Sequence, residues 1–182
     1  RDRLEAKRQR GSQYCFYNEE TSNAASNRLT LEAELRRALR SHEFEMHYQP
    51  RVELESTTTV GMEALIRWRH PQRGLVPPNE FIPVAEESGL IVPIGYWIIQ
   101  QVCQDMRRFD ELGHKSMDIA INLSFKQLQD SMFVGTTKRI IEQSGVDAHR
   151  LEFELTETAI MSNYQQTYES MMALSELGVT FS

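Results

Sequence analysis

Three residues with oxygen-bearing side chains interrupt short apolar runs of the sequence: Glu63, Asn122 and Glu154. Side chains alternate between the two faces of a β-strand, so each of the three lies on the face opposite its apolar neighbours. Carboxylate and amide oxygens suit a hard divalent cation such as Mg²⁺ or Mn²⁺ better than they suit zinc. Arg67 shares the face of Glu63 and Leu65, and a guanidinium binds phosphate through two parallel hydrogen bonds. The set therefore indicates metal-assisted phosphoester chemistry.

The residues alone leave an ordinary surface role open as well. Glu152 and Glu157 are also compatible with charges at a strand edge, and Asn122 with a turn former. Periodicity does not decide between the two interpretations, because it says nothing about which strands are neighbours. The five histidines form neither an HxH nor an HExxH motif, so a histidine-ligated metal site is not indicated.

Strands that alternate with helices position these side chains. We predict strands over 44–54, 57–68, 117–124 and 151–157, with another beginning at 179. We predict a helix capped by Thr30, a short helix over 80–87, a long one from Pro93 to Gly113, and others over 132–144 and 164–177. Such alternation is typical of parallel βαβ units, and hence of an α/β sheet or barrel. In a barrel, functional side chains lie at the C-terminal ends of the strands.

The composition fits a soluble globular protein of one domain, or of one domain with a piece of another. The chain has 182 residues, of which 40% are hydrophobic and 25% charged, with a net charge of -6. This balance provides no overall basic field and argues against general binding of DNA or RNA. Cys15 and Cys103 form no CxxC motif, and no apolar run reaches about 18 residues, so we predict a cytoplasmic protein.

The segment Glu-Ala-Leu-Ile-Arg-Trp at 63–68 resembles the signature of EAL-domain cyclic di-GMP phosphodiesterases. Four further segments occur in the order found in that family. They are Tyr48-Gln49-Pro50, the stretch 81–86 followed by Gly89-Leu90-Ile91, Asn122-Leu123-Ser124, and Glu154-Leu155-Thr156-Glu157. A single tripeptide recurs by chance, whereas five segments in order make a specific resemblance.

The resemblance implies a TIM-like (β/α)8 barrel in which one strand runs against the others. It also implies hydrolysis of one phosphodiester of cyclic di-GMP to linear pGpG with two Mg²⁺ or Mn²⁺ ions. Matched by position, the metal ligands are Glu63, Asn122 and Glu154; the catalytic residues are Glu63 and Glu157; and the substrate-binding residues are Gln49, Leu65, Arg67 and Asn122. Glu157 matches a glutamate that steadies a loop over the site and supports regulation through a homodimer.

The same resemblance divides the chain into three parts. Residues 1–20 are similar to the C-terminal tail of a GGDEF domain, 21–28 form a linker, and 29–182 form an incomplete EAL domain. The chain stops immediately before the Asp-Asp pair expected in the family, so we expect only the first half to two-thirds of the barrel. We expect this fragment to be inactive, its parent protein to be active, and any membrane attachment to come from regions before Arg1. The alternative is a catalytically degenerate EAL domain that acts as a cyclic di-GMP receptor or an interaction module.

Overall fold

The computed structural model describes residues 19–55, 57–115, 117–155 and 164–182. The elements follow one another as α1 (Glu19–Arg40), β1 (Phe44–Val52), β2 (Thr59–His70), β3 (Gly74–Val76), α2 (Pro78–Ser88), α3 (Ile91–Glu111), β4 (Asp118–Leu123), α4 (Phe125–Leu128), α5 (Phe133–Ser144), a 3-10 turn (Ala148–Arg150), β5 (Leu151–Leu155), α6 (Tyr164–Ser175) and β6 (Thr180–Phe181). No helix among these residues is both long enough and apolar enough to cross a bilayer.

One sheet carries all the strands of the described chain. Its order is β1-β2-β4-β5-β6, with the short β3 paired to β2. The pairs β2–β4, β4–β5 and β5–β6 are parallel, whereas β1 is antiparallel to β2. Helices connect the parallel strands, as such crossovers require. The predicted α/β architecture is therefore confirmed, and β1 is the antiparallel strand in the main strand order; the short β3 is antiparallel to β2 as well.

The core lies between one face of this sheet and the helices packed on it. Fully buried side chains come from the strands and from the helices packed on them, among them α2 and α3, and they include Trp68, Phe81, Ile99, Ile121 and Phe153. In β4 the isoleucines and Leu123 are buried in this core, while Asn122 is exposed. The predicted division of β4 into a helix-facing side and a polar side is thus confirmed.

The first helix begins earlier than predicted. It starts at Glu19 and continues through Thr30, which lies inside the helix and does not cap it. The polar segment before Thr30 contains neither Gly nor Pro, and extending an existing helix adds one hydrogen bond for each residue fixed. The predicted linker 21–28 is therefore helical. The predicted GGDEF-like tail lies almost entirely outside the described residues.

Other boundaries agree closely with prediction. The helix α5 ends at Ser144, where Gly145 takes the left-handed conformation with φ of 71° that glycine adopts without strain. The prediction missed β3, which pairs antiparallel with the end of β2 across the turn at Pro71 to Arg73. Three residues are too few to show a periodicity.

Candidate functional site

Three of the predicted site residues meet on neighbouring strands. In the register of the sheet, Glu63 pairs with Ala120, and Asn122, two residues further along, pairs with Glu154. The side-chain amide of Asn122 donates a hydrogen bond of 2.8 Å to Glu63 Oε1. The row formed by Glu63, Asn122 and Glu154 therefore lies near the C-terminal ends of β4 and β5 and in the middle of the longer strand β2.

Glu154 lies where negative charge accumulates. Partial burial raises the pKa of its carboxyl group, and the neighbouring carboxylate of Glu63 raises it further. Arg51 acts in the opposite direction on that pKa, and Glu152 adds to the increase. The carboxylates of the row are thus close enough to repel one another, which is the electrostatic condition for attracting a cation.

Arg51 is a charged member of the site that the sequence patterns did not reveal. It lies on β1, and its guanidinium donates to Glu152 Oε2 at 2.6 Å. Its second nitrogen is 3.6 Å from Glu154 Oε1. Alternation places Glu152 on the same face of its strand as Glu154, but nothing in the sequence indicates that its partner comes from 101 residues away.

The predicted substrate-binding residues lie on β1 and β2 around the row. Gln49 is exposed and pairs with Glu63 in the antiparallel register, which puts both side chains on one face. Arg67 is half-buried, and its Nη1 donates to the carbonyl of Ile66 at 2.9 Å. Because a guanidinium carries five donors, this bond leaves Arg67 with capacity for a phosphate.

A mostly apolar cleft opens beside Arg67 and Asn122. It measures about 300 Å³ and lies between the ends of β2 and β4 and the helices α2 and α3. Leu65 lines it together with Pro78 and Ile82. The predicted role of Leu65 in substrate binding is compatible with this position, which joins an apolar wall to the polar row.

The end of β4 is held by partly buried hydrogen bonds. The backbone N–H of Ser124 donates to Gln127 Oε1 at 2.7 Å, and the Ser124 hydroxyl donates to Glu86 Oε1 at 2.7 Å. Gln127 is almost completely buried. These contacts connect α2, α4 and β4, and they fix the backbone two residues beyond Asn122.

The donor set fits a divalent cation in its chemistry. It comprises the carboxylates of Glu63 and Glu154 and the amide oxygen of Asn122, whose nitrogen is the group that bonds Glu63. Hard cations bind such oxygens. Among the residues that the structure describes, no three His, Cys, Asp or Glu side chains form a metal-binding group, so the amide is needed to complete even three ligands. Glu157, predicted as catalytic, lies outside the described residues.

Comparisons with known proteins agree with this architecture. Residues 32–182 match the EAL domain family. The chain is 38% identical over 167 residues to cyclic di-GMP phosphodiesterase NbdA of Pseudomonas aeruginosa, covering 92% of this chain and 21% of that protein. It is 36% identical over 177 residues to the bifunctional diguanylate cyclase/cyclic di-GMP phosphodiesterase MucR of the same organism, covering 97% of this chain and 26% of MucR.

Solved structures show the same fold. The PaMucR phosphodiesterase in complex with c-di-GMP superposes with a TM-score of 0.79 at 36% identity, covering 84% of this chain and 62% of that one. The cGMP-bound form of the EAL enzyme Bd1971 gives a TM-score of 0.77 at 32% identity, covering 88% of this chain and 45% of that one. The chain spans about a quarter of the length of the curated relatives named above.

Proposed function

The chain belongs to the EAL domain family, and from that membership we propose that its protein hydrolyses cyclic di-GMP to linear pGpG with the help of divalent metal ions. The observation that carries the proposal is the row on β2, β4 and β5, in which Asn122 bonds Glu63 and pairs in register with Glu154. Relatives that are named cyclic di-GMP phosphodiesterases support the choice of substrate.

We assign the metal site to Glu63, Asn122 and Glu154, and Mg²⁺ or Mn²⁺ to the ion. When bound, such an ion supplies positive charge to a phosphate group and favours ionisation of water. The hydrogen bond from Asn122 to Glu63 Oε1 restrains the Glu63 carboxylate and leaves its second oxygen to bind the cation. Partial burial, and after it the neighbouring carboxylate of Glu63, raise the pKa of Glu154, and a bound cation would favour its ionised form.

The remaining residues act on the nucleotide. Among the described residues the Arg67 guanidinium bonds the carbonyl of Ile66, and its other N–H groups are the ones assigned to a phosphate. Gln49 offers an exposed amide across from Glu63. Leu65 and the adjoining cleft offer an apolar surface of ligand size to a purine base. The reaction consumes one water and breaks one P–O bond, which opens the cyclic dinucleotide and leaves a terminal phosphate.

We also propose that the protein acts in the cytoplasm as a homodimer through this domain, and that Glu157 supports the regulation of the site by that dimer. The matched family position of Glu157 supports this assignment. Light scattering of the purified protein, with Glu157→Gln beside the wild type, tests it. A monomeric wild-type protein with full activity contradicts the dimer.

The activity is tested by incubating the full-length protein with cyclic di-GMP and either Mg²⁺ or Mn²⁺, followed by chromatography of the products. We expect pGpG to accumulate, EDTA to abolish it, and Glu63→Gln to reduce it. Glu55→Gln is the matched control, because Glu55 is an exposed residue of the β1–β2 connection. Tight binding of cyclic di-GMP without any pGpG would instead identify a receptor, and absence of both would contradict the proposal.

A further inference from the structure

Beside the row, Arg51 and Glu152 form an ion pair that we call the floor of the candidate site. The proposed reaction assigns no role to this pair. Arg51 donates to Glu152 at 2.6 Å and is 3.6 Å from Glu154 at its other nitrogen. The side chains of Arg51, Glu152 and Glu154 are 34%, 22% and 29% exposed. The guanidinium therefore lies between two carboxylates on the same strand and makes its short contact with only one of them.

A glycine makes this position of Arg51 accessible. Gly61 on β2 pairs in register with Arg51 on β1 and with Asp118 on β4. A Cβ at Gly61 would lie 3.3 Å from Arg51 Nη2 and 2.9 Å from the carbonyl oxygen of Asp118. The arginine thus passes over the one position of β2 that lacks a side chain to reach β5.

Whether Arg51 pairs with Glu152 or with Glu154 determines the net charge of the row formed by Glu63, Asn122 and Glu154. Arginine and carboxylate groups readily form pairs with two parallel hydrogen bonds. Such a pair with Glu154 would occupy the oxygens that a cation needs and would place a positive charge in the row. Glu152 competes for the same guanidinium, and the pKa of its carboxyl group is lowered chiefly by the hydrogen bond from Arg51.

We propose that Glu152 is a positioning residue that holds Arg51 at the floor of the site and thereby keeps the Glu154 oxygens available to a divalent cation. The inference rests on the proposed metal-dependent function. It assigns Glu152 a purpose other than binding metal or substrate. It also makes a distinctive claim: the loss of Glu152 is harmful because Arg51 is then released.

Calorimetric titration of Mn²⁺ into nucleotide-free, full-length protein tests this claim without relying on activity. We expect Glu152→Gln to bind Mn²⁺ about 10-fold more weakly or worse, the usual effect of losing a group that orients a metal ligand. We expect the double variant Glu152→Gln/Arg51→Gln to regain at least the wild-type affinity. Glu55→Gln controls for the simple loss of one negative charge.

The outcomes separate the inference from the proposed function. Two results overturn the inference alone. In the first, Glu152→Gln binds Mn²⁺ as tightly as the wild type does. In the second, the double variant binds Mn²⁺ as weakly as Glu152→Gln does. Absence of Mn²⁺ binding in the wild type overturns both. If Glu152→Gln fails to fold, the Mn²⁺ affinity of Arg51→Gln decides. Unchanged or tighter binding supports the inference. Weaker binding overturns it, because Arg51 itself then supports Glu154.

Discussion

Gly95 on α3 lies directly against the side chain of Gln127 on α4. A Cβ at Gly95 would overlap the amide nitrogen of Gln127 and lie 2.8 Å from its Cδ. Gln127 is almost completely buried and accepts the backbone N–H of Ser124. The absence of a side chain at position 95 is therefore what allows the amide to hold the end of β4.

Replacing Gly95 by alanine tests that contact. We expect Gly95→Ala to lower the free energy of unfolding by about 1–3 kcal/mol, because the buried amide has little room to move. Gly135→Ala is the matched control: no heavy atom lies within 4 Å of its Cβ position on α5, and alanine there should stabilise by about 0.5–1 kcal/mol. Urea denaturation measures both. Equal effects of the two substitutions would contradict the close contact.

Removing the amide of Asn122 should impair the site without unfolding the protein. Asn122→Ala removes the 2.8 Å bond that orients Glu63 and one oxygen of the donor set. We expect kcat/KM for cyclic di-GMP to fall by about 100-fold, at the upper end of the effects of losing groups around a metal. Asn27→Ala on α1 controls for substitution of an exposed asparagine. Activity within about twofold of wild type would exclude Asn122 from the site.

Arg67 should act on the substrate and not on the fold. Arg67→Met removes the guanidinium while keeping much of the aliphatic stem, so we expect kcat/KM to fall by about 10-fold or more, as for the loss of a charged hydrogen bond. Arg69→Met is the matched control, since Arg69 lies two residues along the same strand, is exposed and pairs with Glu45. If both variants lose activity equally, the proposed binding of phosphate by Arg67 is wrong.

Glu154 should destabilise the metal-free protein at neutral pH. Its pKa in the folded state is raised above the ordinary value of 4.5, so the folded state binds the proton more tightly than the unfolded chain does. Stability is therefore lost as pH rises from 4.5 through the folded pKa. We expect Glu154→Gln to be more stable than wild type at about pH 7 and to lose that advantage below about pH 4.

Glu152 provides the control of opposite sign. Arg51 lowers its pKa in the folded state, so its contribution to stability is present above the unfolded pKa and is lost as pH falls through the folded pKa. Glu152→Gln should therefore be less stable than wild type at about pH 7, by about 1–3 kcal/mol for a charged hydrogen bond. Urea denaturation in EDTA across the acidic and neutral range measures both variants. Shifts of the same sign would contradict the charge arrangement.

The sequence predicted the strands of the site because each carries its own periodicity. Asn122 lies between the buried Ile121 and Leu123 in β4, and Glu154 lies between Phe153 and Leu155 in β5, so local alternation suffices to place both on the polar face. Their proximity to Glu63 required the strand order, which the family resemblance implied. The early start of α1 escaped prediction, because a polar segment without Gly or Pro is compatible with either a linker or a helix.

The contacts of Arg51 and Gly95 were not predictable from local patterns. Each depends on which side chains face each other across elements that are distant in sequence. The alternating pattern that predicts β1 does not depend on Arg51, which follows Pro50. No residue near Arg51 in the sequence indicates a partner on β5. Gly95 lies within a helix, where glycine has no obvious conformational purpose; only the position of Gln127 explains it.

The sequence separation of Arg51 and Glu152, 101 residues, has a consequence for the folding of the protein. Contacts between distant parts of a chain form only after the entropy of closing the intervening loops has been offset. The floor of the site is therefore missing from every partly folded form in which β1 and β5 have not yet joined one sheet. Such a form also lacks Glu154 beside Asn122, so under the proposed function only the completely folded molecule hydrolyses the nucleotide.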